Sequence, residues 1–223
     1  MSSSSVAVIS DYDRTIACES DGFRIREEVA RVINEFSKRA VFIVASGREE
    51  RIIRALAPNL QPTAWVLENG AKIILGDKIY LMKPDGWDER RETIIRILER
   101  ERIYYSMGEV IIYVNGVAAR RPDLERLLKD LGDLEWNRQD LMVLPRGVNK
   151  GSGTRKVLEL LGFKGKVYAI GDSENDVKLF EIADVKVAVQ NGIDQIKAMA
   201  DYVLDEPNGK GVIKFLRSLV QIS

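Results

Sequence analysis

Val6-Ala7-Val8-Ile9-Ser10-Asp11-Tyr12-Asp13-Arg14-Thr15 decides how this chain is read. Four apolar residues follow a serine and run toward acids, which predicts a strand buried on both faces with polar groups at its end. The arrangement returns twice. Val41-Phe42-Ile43-Val44 runs into Ser46-Gly47-Arg48, and a strand at 167–170 runs into Gly171-Asp172-Ser173-Glu174-Asn175-Asp176. Between the first two strands, Val29, Ala30, Val32, Ile33 and Phe36 fall at helical spacing. A helix over 49–56 ends near Pro58, a third strand covers 65–67, and Gly76-Asp77 turns a hairpin. Beyond Lys150, strands at 185–189 and 202–204 lead to a last helix carrying Val212, Ile213, Leu216, Leu219 and Val220.

The middle of the chain breaks this rhythm. It reads as a helix over 88–101, a strand over 110–114, and a helix over 122–131 with Leu124, Leu127, Leu128 and Leu131 on one face. Short strands at 134–136 and 141–144 finish it. Strand–helix alternation on both flanks predicts the α/β class, with a doubly wound parallel sheet. Residues 1–81 and 147–223 form the expected core, and 82–146 an inserted α+β cap.

Composition narrows the chemistry. The 223 residues include 34 basic and 34 acidic ones, so the formal net charge is zero. A neutral chain is not built to wrap nucleic acid or coat an anionic membrane. The polar start at 1–5 has no basic region or long apolar run, so no signal peptide or membrane span is expected. A reducing cytoplasmic setting is the default reading. One cysteine, Cys18, excludes an internal disulfide framework and a multi-cysteine zinc site. The absence of histidine excludes Ser-His-Asp and Cys-His catalysis and histidine-ligated zinc. Carboxylates, lysine and hydroxyls must carry any catalysis. Nothing in the charge or apolar pattern signals an oligomeric state.

Ligands of open parallel sheets sit at the carboxyl ends of the strands. Those ends supply Asp11, Asp13, Thr15, Ser46, Gly47, Asp172, Asn175 and Asp176, and Lys150 stands at the start of a helix. Crowded carboxylates repel unless a cation lies between them, and oxygen ligands suit Mg²⁺. Lysine, hydroxyls and glycine-freed amides suit phosphate oxygens. The set fits phosphoryl transfer, in which positioning and charge neutralisation provide most of the catalysis.

Asp11-Tyr12-Asp13-Arg14-Thr15, Ser46-Gly47-Arg48, Lys150 and Gly171-Asp172-Ser173-Glu174-Asn175-Asp176 resemble, in order, the four motifs of the haloacid dehalogenase superfamily. Glu68-Asn69-Gly70-Ala71 and Ala188-Val189-Gln190-Asn191-Gly192 resemble further stretches of its Cof-like branch. The cap position resembles type C2 members, which include phosphoglycolate and sugar-phosphate phosphatases. The resemblance implies Asp11 as nucleophile, Asp13 as general acid and base, and Lys150 as charge balance. Thr15, Ser46, Gly47, Lys150 and Asn175 would hold substrate. Asp11, Asp13 through its main-chain carbonyl, Asp172 and Asp176 would hold Mg²⁺. The implied activity is hydrolysis of a small phosphorylated metabolite, 2-phosphoglycolate first and a sugar phosphate second. A phosphomutase of the same superfamily is a further alternative. A phosphorylated receiver module shares the acid pair, hydroxyl and lysine, but is about half this length and has no cap. Many members carry glycine where this chain has Arg14. The arginine either pairs with a surface acid or reaches an anionic substrate. Cap cations such as Arg90, Arg91, Arg120 and Arg121 read as a solvated face.

Overall fold

β1 (Val6–Asp11) is buried on both faces because alternate residues enter different cores. Val8 packs beneath one layer of helices, whereas Ala7 and Ile9 pack beneath the other. A computed structural model describes residues 6–116, 118–137 and 139–221. The start at 1–5 and the Val220 side chain lie outside the described residues.

α1 (Glu27–Ser37), β2 (Val41–Ala45), α2 (Glu50–Leu56) and β3 (Ala64–Leu67) continue the chain. A hairpin of β4 (Lys72–Leu75) and β5 (Lys78–Leu81) follows. Next come α3 (Trp87–Arg100), β6 (Ser106–Met107), β7 (Ile112–Val114), α4 (Leu124–Leu128), β8 (Asp133–Asn137) and β9 (Asp140–Leu144). The chain closes with α5 (Lys150–Leu160), β10 (Lys166–Gly171), α6 (Val177–Phe180), β11 (Val185–Ala188), α7 (Asp194–Met199), β12 (Tyr202–Val203) and α8 (Asn208–Gln221).

The main sheet has the order β12-β11-β10-β1-β2-β3-β4-β5. Its first six strands are parallel, and β4 and β5 extend the edge antiparallel. Residues of α1 and α8 cover one face. Residues of α5, α6 and α7 cover the other. This is the α/β architecture expected from the alternation.

The segment between β5 and α5 folds around its own apolar cluster and a second, antiparallel sheet, β6-β7-β9-β8. Trp87, Ile94, Leu98, Ile112, Leu124 and Leu141 are buried there. Local departures from the expected elements have physical causes. The strand expected from residue 110 starts at Ile112 because the Val110 and Ile111 amides donate to the Glu68 carboxylate instead. The helix expected over 122–131 is regular only through Leu128, and the Leu131 amide closes a tighter turn on the Leu128 carbonyl. β6 escaped notice because Ser106 and Met107 are both exposed and leave no burial pattern.

Candidate active site

Register builds the site. β1 lies between β10 and β2, with Ser10 opposite Ile170 and Asp11 opposite Ala45. The strand ends therefore deliver Asp11, Ser46 and Asp172 to one sheet edge. Lys150 reaches that edge as the first residue of α5. Asn149 caps this helix by accepting the Ser152 amide at 2.9 Å, while Ser152 Oγ accepts the Asn149 amide at 2.9 Å.

Lys150 Nζ donates to Asp11 Oδ1 at 2.6 Å and to Asp176 Oδ1 at 2.7 Å, with all three side chains buried. Asp176 Oδ2 accepts the amides of Asp172 and Ser173 at 2.9 and 3.1 Å. Both Asp176 oxygens are thus engaged. A Cβ on Gly171 would lie 2.5 Å from Asp176 Cβ, so only glycine lets β10 end this close to the carboxylate. Burial, then repulsion from Asp176, pushes the Asp11 carboxyl well above the usual carboxylate range, against the pull of Lys150. Burial, again followed by Asp176, raises Asp172 to about 7. Burial alone would lower the Lys150 ammonium, but Asp11 and Asp176 outweigh it and hold it charged.

One oxygen from each of Asp11, Asp172 and Asp176 can be chosen so that all three lie within 4.8 Å of one another. Asp11 Oδ2 and Asp172 Oδ2 are buried without a hydrogen-bond partner. Such oxygens carry a large desolvation cost that a hard divalent cation would remove. The donor set fits one.

The other expected residues converge on the same region. Thr15 is fully buried with Oγ1 unpartnered, and Ser46 Oγ accepts the Arg48 amide at 3.2 Å. Asn175 Oδ1 accepts from Ser173 Oγ at 3.2 Å. Arg48 donates Nε and Nη2 to the Asp13 carboxylate at 2.7–2.9 Å. Arg14 pairs through Nε with Glu19 at 2.9 Å.

A cleft of about 530 Å³ is lined by Asp13, Arg14, Gly47 and Arg48 from the main-sheet side and by Tyr113, Gln139 and Met142 from the inserted segment. A comparable hollow between α1 and α8 is lined by Arg31, Glu35, Arg39 and Arg217, far from the acidic cluster in kind and in lining. The first cleft is the one lined by expected site residues, Asp13 and Gly47, which neighbour Asp11 and Ser46 in the chain.

Of the groups that join the two sheets, the sequence singled out Glu68 and Asn69 only through a family resemblance, without a role, and did not point to Tyr113 or Glu135. Glu68, 1% exposed, accepts the amides of Glu109, Val110 and Ile111 at 2.8–3.1 Å. Asn69 Nδ2 donates to Glu135 Oε2 at 2.9 Å, and Tyr113 Oη donates to the Gly47 carbonyl at 2.8 Å. Burial raises Glu135 to about 7. Among the cap cations, Arg91 donates to the Gly108 carbonyl, and Arg121 pairs with Glu101 and Asp123.

The family described as haloacid dehalogenase-like hydrolase matches residues 121–216. A protein of Saccharolobus solfataricus named phosphoglycolate phosphatase 2 is 48% identical over 98% of this chain and 94% of its own. The chain is a haloacid dehalogenase-like hydrolase. A phosphoglycolate phosphatase of Sulfurisphaera tokodaii is 43% identical over 96% of this chain and 93% of its own. A solved sugar phosphatase of subclass IIB of this superfamily shares the hydrolase fold with a TM-score of 0.74 at 15% identity, covering 96% of this chain and 99% of its own. With relatives of this similarity, the hydrolase is a phosphatase of the superfamily. Among the described residues, no helix is long and apolar enough to cross a membrane.

Proposed function

We propose that the protein is a Mg²⁺-dependent phosphatase that converts 2-phosphoglycolate to glycolate and inorganic phosphate. The observation that carries this reading is Lys150 bridging Asp11 and Asp176 while Asp11 Oδ2 and Asp172 Oδ2 stay buried and unpartnered. Asp11, Asp172 and the main-chain carbonyl of Asp13 would hold the ion, with Asp176 as a third acid that fixes Lys150 and the loop after β10. Bound there, Mg²⁺ supplies positive charge to the phosphoryl oxygens and to the crowded acids.

Asp11 attacks phosphorus through one carboxylate oxygen and keeps the other for the ion, and the bond from phosphorus to the ester oxygen breaks. Asp13, having left Arg48 and taken a proton from water, gives that proton to the leaving oxygen, releasing glycolate. Asp13 then takes a proton from a water whose oxygen attacks the aspartyl phosphate. The bond from phosphorus to Asp11 breaks, phosphate leaves, and both aspartates are restored. Asp13 must exchange Arg48 for the leaving oxygen in the first step. Thr15, Ser46, Gly47, Lys150 and Asn175 steady the phosphoryl oxygens.

Residues 82–146 act as the cap over this site, and the modest cleft suits a small metabolite. The names of the two long relatives support phosphoglycolate over a sugar phosphate. This reading assigns the reaction to the cytoplasm. The test is phosphate release from a panel of small esters with Mg²⁺, with EDTA, and with Asp11→Asn. Release that needs both the metal and Asp11, with phosphoglycolate ranked first, is expected. No release by the wild type with Mg²⁺ would sink the reading, and a sugar phosphate ranked first would replace the substrate. Transfer to a second sugar without free phosphate would turn the assignment to a mutase.

A further inference from the structure

We propose that Arg14 selects the substrate by binding a carboxylate on the phosphate ester, with Phe23 as its platform. The substrate class is then a phosphorylated small hydroxy acid rather than a neutral sugar phosphate. This rests on the phosphatase reading above.

Arg14 and Phe23 both sit at φ 61°. That left-handed region suits glycine, and a bulky side chain there is strained. The strain is held in place by hydrogen bonds from several loops. The Arg14 amide donates to the Ala17 carbonyl at 2.8 Å, and Asn191 Nδ2 donates to the Arg14 carbonyl at 2.8 Å. Asn191 is itself fixed by the Asn208 amide, at 2.8 Å, and Tyr12 Oη donates to the Phe23 carbonyl at 2.8 Å. A conformation overdetermined in this way marks side chains whose placement matters.

Those side chains form a stack. The Arg14 guanidinium carbon lies 5.2 Å from the Phe23 ring centroid and that of Arg48 lies 4.9 Å from it. Cation–ring contacts of this kind fix the plane of a guanidinium without using its N–H donors. The two cations have different counter-ions. Before substrate binds, Arg48 donates to Asp13 through two nitrogens. Arg14, whose side chain is 16% exposed, pairs with a Glu19 side chain that is 60% exposed. A pair with an exposed carboxylate is weak and exchanges readily for another.

Position completes the argument. Arg14 lines the cleft beside Asp13 and Gly47. An ester whose phosphate lies at Asp11 and whose acid group lies one carbon from the ester oxygen offers Arg14 a carboxylate to take over from Glu19. A neutral polyol offers no such exchange.

Arg14→Gly suits the positive φ and is expected to fold, and Arg14→Lys keeps the charge without the planar fork. We expect Arg14→Gly to raise KM for 2-phosphoglycolate at least tenfold more than KM for 2-hydroxyethyl phosphate, with Arg14→Lys in between. By calorimetry with Mg²⁺, phosphonoacetate should bind the wild type at least tenfold tighter than methylphosphonate, and Arg14→Gly should erase the difference. If both KM values rise alike, or neither moves, Arg14 only shapes its loop or pairs with Glu19 and the proposal falls. If the wild type hydrolyses neither ester, the phosphatase reading fails instead. The phosphonates then judge Arg14 alone, and equal binding of the two by the wild type overturns it.

Discussion

The floor and the roof of the cleft solve opposite electrostatic problems. On the floor, three buried carboxylates surround one buried ammonium, and main-chain amides absorb much of the remaining charge. On the roof, Glu135 is a half-buried carboxylate that accepts from an uncharged amide, Asn69 Nδ2. Burial raises carboxyls on both sides, Asp172 and Glu135 each to about 7. The floor, however, holds a charged lysine hydrogen-bonded between Asp11 and Asp176, whereas the roof carboxyl accepts from an amide. The walls between them carry ion pairs with exposed partners, such as Arg14 with Glu19. Buried, compensated charge suits chemistry that must be the same for every substrate, whereas exposed pairs are cheap to exchange and suit selection.

The sharpest way to break this contrast is to remove the compensation. Lys150→Met leaves Asp11 and Asp176 buried without their cation. It should cost about 3–5 kcal/mol in denaturant unfolding and about 10²–10³-fold in kcat. A stable, active variant would show that the floor does not need its lysine. Gly70→Ala probes the same floor through its backbone. Gly70 sits at φ 99°, and an added Cβ would lie 2.0 Å from the Asn149 carbonyl oxygen that begins α5. Thermal unfolding should show a loss of about 1–3 kcal/mol, with a several-fold fall in kcat as Lys150 shifts.

Roof variants should act more gently. The folded state holds the Glu135 proton to about pH 7, well above an ordinary glutamate. Its contribution to stability is therefore full below about pH 4.3 and is lost as pH rises through 7. The facing charges are Lys150, Lys178, Asp133 and Asp176. Glu135→Gln keeps an acceptor for Asn69 and removes the titration. Its Tm relative to wild type, measured in EDTA, should climb between pH 5 and 8 and then level off. A flat difference would mean that the roof carboxyl titrates normally. The smallest effect is expected from Tyr113→Phe, which removes one hydrogen bond to the Gly47 carbonyl. It should cost about 1 kcal/mol, and a much larger loss in kcat would give the tyrosine a part in catalysis.

What was legible before the structure was local. Val6–Ile9, Val41–Val44 and residues 167–170 announced themselves as buried strands, and each was followed by the residues that meet at the sheet edge. Ordinary lengths of strand and helix then leave little choice of fold class, because parallel strands need crossovers and short crossovers are right-handed. Arg14 also stood out, because many members of the superfamily it resembles carry glycine there; its φ of 61° is one that glycine adopts freely.

The amino-acid order by itself determined the α/β alternation, the acids at the strand ends, the inserted middle segment and the exclusion of histidine chemistry. All of these follow from side-chain period and composition, which are properties of neighbouring residues. Only the tertiary structure decided that Lys150 bridges Asp11 and Asp176, that Arg48 occupies Asp13, and that Glu68 takes three amides which a strand would otherwise have used. Those partners lie 26 to 139 residues apart in the chain. Which buried charge compensates which is settled by three-dimensional distance and desolvation, and neither is written in local sequence.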